Sequence, residues 1–324
     1  RELMAAMLQR VEAKVGLQWG VPDDQSSRPR FAAHTWEEDC SYRFFPLIFY
    51  LGIFAVHWLI DFPVLLLLGF RRGRAGNIGY WIKPGGKKEE QEPLDAYVFI
   101  HGISVGRICY LPFVLAFSHR PVVIIDIHWV TFNPFQCEVP RAEDFCVNMT
   151  EIFDAHGLRS VCIMAHSYGS FVTAWMLACP ELRGRVARVA FIAAPALWLI
   201  LPKTNRAVVY DKPIWFEHSL AHVFYRQFFW YEYMLTAEEL PSGSVVIVSE
   251  HDEMIPVPEV VSDLKEHGVS HMVLEGHRHG FELFWPFSCW RIVKLILAQE
   301  KEEPEQKEQR SLCAAMWSSA RTCF

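Results

Sequence analysis

Residues 161–170 read VCIMAHSYGS, and this stretch decides how the rest of the chain is interpreted. An apolar run leads into Ser167, which stands between the small residues Ala165 and Gly169, and a helix-like stretch follows. A buried strand that turns sharply into a helix crowds its own backbone, so the positions two before and two after the apex need small side chains. The pattern predicts a strand, a turn with a serine at its apex, and a helix. Taken alone, it also fits an ordinary strand-to-helix turn with a capping serine.

Short apolar runs alternate with helix-like stretches on both sides of this turn. The apolar runs predict strands at 96–100, 121–126, 161–165, 186–194, 244–248 and 272–274. The stretches between them predict helices at 142–156, 171–179, 259–267 and 281–298. Continuous apolar strands between helices are typical of a parallel sheet covered on both faces. The predicted fold class is therefore α/β, with a doubly wound, mostly parallel sheet whose ligands bind beyond the carboxyl ends of the strands.

A second motif, HGISVG at residues 101–106, follows the first of these strands directly. The His101-Gly102 turn can aim the backbone N–H of Ile103 at a developing oxyanion. The N–H of Tyr168, the residue after the serine, would be the second donor. An ordinary glycine-rich turn between a strand and a helix is the alternative interpretation.

An acidic loop, SEHDEMIP at residues 249–256, follows the fifth predicted strand. Its carboxylates, Asp252 among them, are candidates for orienting a catalytic histidine. Glu250 and Glu253 are interpreted as solvated loop charges, an interpretation that Asp252 also permits.

A histidine-rich loop, EGHRHGF at residues 275–281, follows the last predicted strand. His279 is the preferred base because a His-Gly-aromatic sequence opens the final helix, and His277 is the alternative. A metal site built from the four histidines of the two loops and the last strand is disfavoured, because these residues lack helix-face spacing and a nearby set of carboxylates. Those histidines are His251, His271, His277 and His279.

From about residue 95 to 298 the chain resembles the α/β-hydrolase superfamily, whose serine, aspartate and histidine follow one another in this order. It is most similar to a membrane-associated branch of fungi, protists and algae, in which HGIGxG, GHSxG and an HGxF-like end occur. This chain departs from those motifs in having HGISVG and AHSYGS. The resemblance implies that Ser167 attacks, His279 moves the proton and Asp252 orients the imidazolium.

The function expected from this resemblance is that of a serine hydrolase acting on carboxylic esters or thioesters, without a cofactor. Two alternatives stay open at this point. One is a non-catalytic binding or scaffold protein on the same fold, because a fold does not determine a function. The other is an acyltransferase, in which the acceptor is not water.

Residues 44–70 form a long apolar segment with one carboxylate, Asp61, and neither lysine nor arginine. The segment exceeds the roughly 20 residues that span a bilayer, and aromatic residues and arginines flank it. Against a full span, Asp61 costs about 2.5–3.5 kcal/mol at bilayer depth, and Pro63 is a position at which the segment can split. The segment predicts a membrane anchor; a helix packed on the domain and a hairpin in one leaflet are the alternatives. Basic residues crowd its C-terminal flank, which places the following domain on the cytosolic side.

The predicted organisation of the chain has five parts. They are an N-terminal arm (1–43), the anchor candidate (44–70), a linker (71–94), a hydrolase domain (95–299) and a disordered tail (300–324). The domain carries a cap insertion at about 196–241, between the fourth and fifth predicted strands. Many aromatic residues in the cap favour an apolar or lipid-like acyl substrate, although packing against the core is the simpler interpretation of most of them.

Composition limits the expected partners. The chain has 324 residues, 52% of them apolar and 14% aromatic, and a net charge of −6. No basic stripe with interleaved aromatic residues points to nucleic acid. The expected partners are a small apolar substrate and membrane lipid, and the sequence indicates no oligomeric state. Nine cysteines without a CxxC pair favour a reducing compartment.

Overall fold

The computed structural model describes residues 46–85, 94–104, 106–131, 139–199, 203, 234–283 and 285–299. The predicted arm, the predicted tail and most of the predicted cap lie outside the described residues.

Eight strands form one sheet. They are β1 (Arg71–Ala75), β2 (Ile78–Lys83), β3 (Ala96–Ile100), β4 (Val122–Asp126), β5 (Val161–His166), β6 (Val186–Ile192), β7 (Val245–Ser249) and β8 (Ser270–Leu274). Their order across the sheet is β1-β2-β4-β3-β5-β6-β7-β8. Strands β3 to β8 pair in parallel, and β1 and β2 pair antiparallel. The predicted mostly parallel α/β sheet is confirmed.

Helices lie between the strands and before them. They are α1 (Leu47–Leu67, with a π-helical turn at His57–Asp61), α2 (Leu111–Leu115), α3 (Ala142–Ala155), α4 (Gly169–Ala178), α5 (Pro180–Arg183), α6 (Val257–Glu266) and α7 (286–299). The closing helix α7 begins five residues later than the sequence predicts. Its first residue is Pro286, and proline is favoured there because the first N–H groups of a helix have no intrahelical acceptor.

The central strands β3, β4 and β5 are almost entirely apolar, because both faces of the sheet are covered there. Along β5, Val161, Ile163 and Ala165 point into one core cluster, while Cys162 and Met164 point into the other. Helices α3, α4 and α6 cover the first face, and α1, α2 and α7 cover the second. Alternate residues of a strand point to opposite faces, so a strand buried on both sides reads as a continuous apolar run.

The predicted linker at 71–94 is wrong for residues 71–83, which form the hairpin of β1 and β2. The sequence does not predict β1, because its exposed arginines and its glycine form no apolar pattern. Charged side chains of this kind are common on the edge strand of a sheet. An added side chain on Gly73 would meet the ring of Tyr80 on the paired strand. The pairing of β2 with β4 buries Trp81 and extends the sheet beyond the predicted domain boundary.

Helix α1 is, among the described residues, the one helix long and apolar enough to cross a membrane by length and composition. Its C-terminal half packs on the hairpin of β1 and β2. The ring of Phe62 lies edge-on to that of Trp81 at 5.2 Å, and Leu65 is fully buried. Its outer side exposes large apolar side chains, namely Leu47, Ile48, Leu51, Trp58, Leu59, Ile60, Leu66 and Leu67.

The strand order reverses at β3, since β4 lies on one side of it and β5 on the other. Such a reversal opens a crevice at the carboxyl ends of the strands, because the connections that leave the two neighbouring strands run in opposite directions. His101 follows β3 and Ser167 follows β5, so both motifs of the sequence lie at this crevice.

Candidate active site

Ser167 lies at the apex of a strained turn between β5 and α4. Its φ of +47° is in the left-handed region that side chains rarely occupy. The turn is fixed to the sheet, because the Ser167 N–H donates to the carbonyl oxygen of Ile192 at 2.9 Å. Ala165 is buried in register between β3 and β6, and an added side chain on Gly169 would meet the carbonyl oxygen of Ile100. The glycine two residues after the serine therefore has a steric cause.

Ser167, His279 and Asp252 form a continuous hydrogen-bonded chain. Ser167 Oγ lies 2.8 Å from His279 Nε2, and His279 Nδ1 lies 2.8 Å from Asp252 Oδ2. Because a carboxylate only accepts, Nδ1 carries a proton and Nε2 is left to accept from the serine hydroxyl. The three hydrogen-bonded residues are almost inaccessible to solvent, since Ser167 is 7%, His279 6% and Asp252 2% exposed.

Two backbone N–H groups hold the Asp252 carboxylate in place. Those of Met254 and Ile255 both donate to Asp252 Oδ1 at 2.8 Å, which leaves Oδ2 for His279. The short apolar stretch after the aspartate therefore has a structural reason. It bends the backbone so that successive N–H groups converge on one carboxylate oxygen.

The aspartate and histidine loops are joined to each other. The His251 N–H donates to the carbonyl oxygen of His277 at 2.9 Å. Glu253 accepts the N–H of His279 at 3.3 Å and pairs with Arg278 at 3.2 Å. Glu253 is therefore not the solvated charge that the sequence predicts, but a contact that fixes the histidine loop.

His277, the alternative base, does not join the serine. Its Nε2 lies 2.7 Å from Ser288 Oγ on α7, and its Nδ1 lies 2.8 Å from the carbonyl oxygen of Glu275. His251 pairs loosely with Glu250, and His271 contacts the carbonyl oxygen of Val269. Within the described residues, no group of three or more histidine, cysteine, aspartate or glutamate side chains could hold a metal ion.

The turn after β3 packs directly on the serine. An added Cβ on Gly102 would lie 2.9 Å from Ser167 Cβ, so only glycine permits this approach. His101 is fully buried; its Nε2 accepts the N–H of Ile127 at 3.1 Å and its Nδ1 donates to the carbonyl oxygen of Gly102 at 2.7 Å. Burial lowers the pKa of His101 to about 4, which keeps the ring neutral in this role.

The two expected oxyanion donors lie on either side of the serine turn. Tyr168 immediately precedes α4, where the first N–H groups of a helix lack an intrahelical acceptor. Its side chain is buried and its hydroxyl accepts from Trp129 Nε1 at 3.1 Å. Ile103 lies between Gly102, which contacts the serine, and Ser104, whose N–H donates to the carbonyl oxygen of Val130 at 3.3 Å.

Sequence reasoning missed a buried carboxylate beneath the site. Glu282, three residues after His279, is fully buried; Ser249 Oγ donates to its Oε1. Its Oε2 lies 3.6 Å from Nε2 of His166, the residue before the serine. The available signal was a lone glutamate in the apolar stretch GFELFW at residues 280–285.

Replacing Glu282 by glutamine is expected to weaken the acid dependence of stability. Burial alone would raise the pKa of Glu282, but the neighbouring His166 and His279 lower it below its ordinary value. The unfolded chain then binds more protons, so the carboxylate stabilises the fold above the unfolded pKa of about 4.3 and loses that contribution as the pH falls through the folded pKa. Urea unfolding measured from pH 6 to 3.5 should show a steeper loss for the wild type than for Glu282→Gln.

The exposed Glu259 on α6 offers a matched control for that measurement. Glu259→Gln should reproduce the wild-type dependence on pH. Parallel curves for the wild type and Glu282→Gln would show that the buried carboxylate contributes nothing in this pH range.

Comparison with solved structures identifies the fold of the chain. No family model and no curated protein sequence matches the chain. A meta-cleavage product hydrolase is 15% identical over 72% of this chain and 99% of its own, with a TM-score of 0.51. Esterase 2 of Thermogutta terrifontis, phosphonylated by sarin, is 13% identical over 70% and 92%, with a TM-score of 0.50. Carboxylesterase CesB from Bacillus subtilis is 17% identical over 76% and 98%, with a TM-score of 0.49.

At these identities the likeness establishes architecture and no activity. In this chain that architecture is an eight-stranded, mostly parallel sheet with helices on both faces. The chain has the α/β-hydrolase fold.

Proposed function

We propose that the protein is a serine hydrolase that cleaves carboxylic esters or thioesters. The observation that carries the proposal is the hydrogen-bonded chain of Ser167, His279 and Asp252. In this mechanism His279 Nε2 removes the proton of Ser167 as its Oγ attacks the substrate carbonyl, and Asp252 stabilises the imidazolium. His279 then gives that proton to the leaving alcohol or thiol. Water, deprotonated by the same histidine, releases the acid from the acyl-serine.

The N–H groups of Ile103 and Tyr168 are proposed to bind the developing oxyanion. The contact of Gly102 with the serine and the position of Tyr168 ahead of α4 support this assignment. Backbone dipoles that are already oriented need no rearrangement when charge develops. Loss of one such donor in other serine hydrolases costs about 10²–10³ in kcat.

An apolar acyl group is the proposed substrate class. The two ends of the cap insertion lie next to each other, because the backbone N–H of Trp198 donates to the carbonyl oxygen of Leu235 at 3.1 Å. Lys203 Nζ also donates to the carbonyl oxygen of Asp252 at 2.8 Å, which brings the start of the insertion onto the aspartate loop. Support for an apolar substrate comes from the aromatic composition of the insertion, whose residues 204–233 lie outside the described part.

Covalent labelling tests the proposed reaction. A fluorophosphonate probe is expected to form an adduct with the folded protein, and peptide mapping should locate the adduct at Ser167. Folded protein that resists the probe would favour a non-catalytic binding protein instead. Product analysis with added alcohols separates hydrolysis from acyl transfer, because a transferase would form a new ester.

We further propose that α1 attaches the protein to membrane lipid, with the hydrolase domain on the cytosolic side, the side that the basic residues after the apolar segment favour. The exposed apolar side of α1 supports this, and so do the exposed Trp285, Phe287 and Trp290 at the start of α7. Both helices pack on the same face of the sheet. Asp61 contacts the domain, so the 14 residues Leu47–Ile60 extend about 21 Å, less than the roughly 30 Å of bilayer hydrocarbon. That length favours insertion into one leaflet over a full span.

Removing apolar side chains from α1 is expected to release the protein from lipid vesicles. The variant carries Leu47→Ser, Ile48→Ser and Leu59→Ser, three highly exposed positions within Leu47–Ile60. At roughly 1 kcal/mol lost per side chain, the partition coefficient should fall about 100-fold in vesicle sedimentation. Val147→Ser, at an exposed position of α3 on the other face of the sheet, should bind as the wild type does. Equal sedimentation of the triple variant and the wild type would contradict the proposal.

A further inference from the structure

Asp61 lies in the middle of the apolar helix α1 and is fully buried. Its Oδ2 accepts the N–H of Arg107 at 2.8 Å, and its Oδ1 accepts the N–H of Ile108 at 3.0 Å. These donors open the helical segment that runs from Ile108 to Leu115, and no side chain next to them in sequence caps them. A carboxylate from a distant helix therefore takes the role of the N-cap residue.

The capped residues directly follow the turn expected to carry an oxyanion donor. Gly106 ends that turn, and an added Cβ there would lie 2.7 Å from Asp61 Oδ2. The other end of the turn is fixed by His101 and by the contact of Gly102 with the serine. The turn that contains Ile103 is thus held at its start by the sheet and at its end by α1.

A second contact of α1 reaches the neighbouring loop. His57 lies 3.1 Å from Asp61 Oδ2 through Nδ1 and 3.2 Å from the carbonyl oxygen of Thr131 through Nε2. The residue before Thr131, Val130, accepts the N–H of Ser104 at 3.3 Å. One helix face therefore holds both the oxyanion turn and the loop that braces it.

The negative charge of Asp61 is compensated within the domain. Arg107 Nη2 lies 3.8 Å from Asp61 Oδ2, and Arg107 Nη1 pairs with Asp126 Oδ1 at 2.6 Å. The Arg107 guanidinium also lies over the ring of Trp81 at 6.0 Å. Loss of any one of these partners would leave the buried charge of Asp61 partly uncompensated, which strongly destabilises a fold. The position of the Asp61 side chain is therefore sharply defined.

We propose that Asp61 is a positioning residue, through which α1 holds the oxyanion turn in its working geometry. The inference rests on the proposed hydrolase function and extends it: the helix proposed to contact lipid is also part of the support of the active site. Displacing α1 would free the end of the turn and move the N–H of Ile103 away from the developing oxyanion.

Asp61→Asn tests the proposal, with Asp95→Asn as the matched control. Asparagine keeps the shape of the side chain, but its NH2 group faces one of the two N–H donors and cannot accept from it. Asp95 also accepts two successive N–H groups, those of Arg159 and Ser160 at 2.6 and 2.8 Å, although both bond its Oδ2, and it lies before β3, at the opposite end of the strand from the site. The full chain is assayed in detergent with a soluble p-nitrophenyl ester and with a trifluoromethyl ketone inhibitor.

The expected result is a fall in kcat of about 10- to 100-fold for Asp61→Asn, with KM within about twofold of the wild type. Affinity for the trifluoromethyl ketone, whose serine adduct carries an oxyanion, should fall by a similar factor. Asp95→Asn should lower the melting temperature and leave kcat and inhibitor affinity unchanged.

Unchanged kcat and inhibitor affinity in folded Asp61→Asn would overturn the proposal, as would equal losses in both variants. If Asp61→Asn does not fold by circular dichroism, His57→Phe removes one partner of the carboxylate and retains a ring. That variant should show a smaller loss of kcat in the same direction, and wild-type kcat in it would count against the proposal. A wild type that fails to label at Ser167 refutes the hydrolase itself, whereas a labelled wild type with an unaffected Asp61→Asn refutes only this inference.

Discussion

Replacing Ser167 by alanine is expected to abolish fluorophosphonate labelling and to lower kcat for p-nitrophenyl esters by about 10⁴- to 10⁶-fold. Alanine removes the one oxygen that lies 2.8 Å from His279 Nε2 and can be activated by it. It keeps the small side chain that the turn permits, so the protein should fold. The measurements are in-gel fluorescence of the labelled protein and initial rates of ester hydrolysis.

A buried serine elsewhere in the sheet provides the control for that variant. Ser244 Oγ accepts the N–H of Val189 at 2.9 Å at the amino end of β7, away from the site. Ser244→Ala should lose some stability and keep both labelling and hydrolysis. Label that persists on Ser167→Ala would assign the reactive nucleophile to another residue and refute the proposed role of Ser167.

Replacing His279 by glutamine is expected to lower kcat/KM by about 10³- to 10⁶-fold, whereas His277→Gln should remain within about threefold of the wild type. His279 connects the serine to Asp252, so its loss leaves the hydroxyl without a base. His277 is bonded to Ser288 and contributes to the anchoring of α7. The comparison is sharp because the two histidines are two residues apart on one loop.

Rates for both histidine variants should be measured beside their melting temperatures. His277→Gln is expected to melt slightly lower, since it loses the hydrogen bond to α7, while its rate per folded molecule is unchanged. The reverse pattern, with activity lost in His277→Gln and kept in His279→Gln, would assign the base to His277 and contradict the geometry.

Much of the fold could be predicted because the signals are local. Strands β3 to β7 are buried on both faces, and each therefore reads as a mainly apolar run, with Arg188 of β6 as the one charged residue inside a run. The serine turn was recognisable because a turn with φ of +47° at the serine packs against the end of β3 and leaves no room for a side chain at position 169. Strand β1 was not recognisable, because an exposed edge strand gains its stability from pairing with β2 and needs no apolar residues of its own.

The sequence predicts which loops form the candidate site, but it does not determine which side chains in those loops contact one another. The motifs fall after strands, so their convergence at the carboxyl edge follows from the parallel sheet. Which histidine meets the serine, and whether Glu253 is solvated or bonded, depends on how the loops after β7 and β8 pair. Contacts between loops distant in sequence leave no periodic pattern in the residues themselves.

By itself, the sequence determined the class of the fold and the set of candidate residues around Ser167, since both rest on local sterics and on the burial of alternating segments. Tertiary structure alone decided the partners: His279 rather than His277 beside the serine, Glu282 beneath it, and Asp61 of the apolar helix against Arg107 and Ile108. The physical reason is that a hydrogen bond or ion pair depends on distance and direction in space. Residues as far apart as Asp61 and Arg107 acquire both only when the sheet brings their segments together.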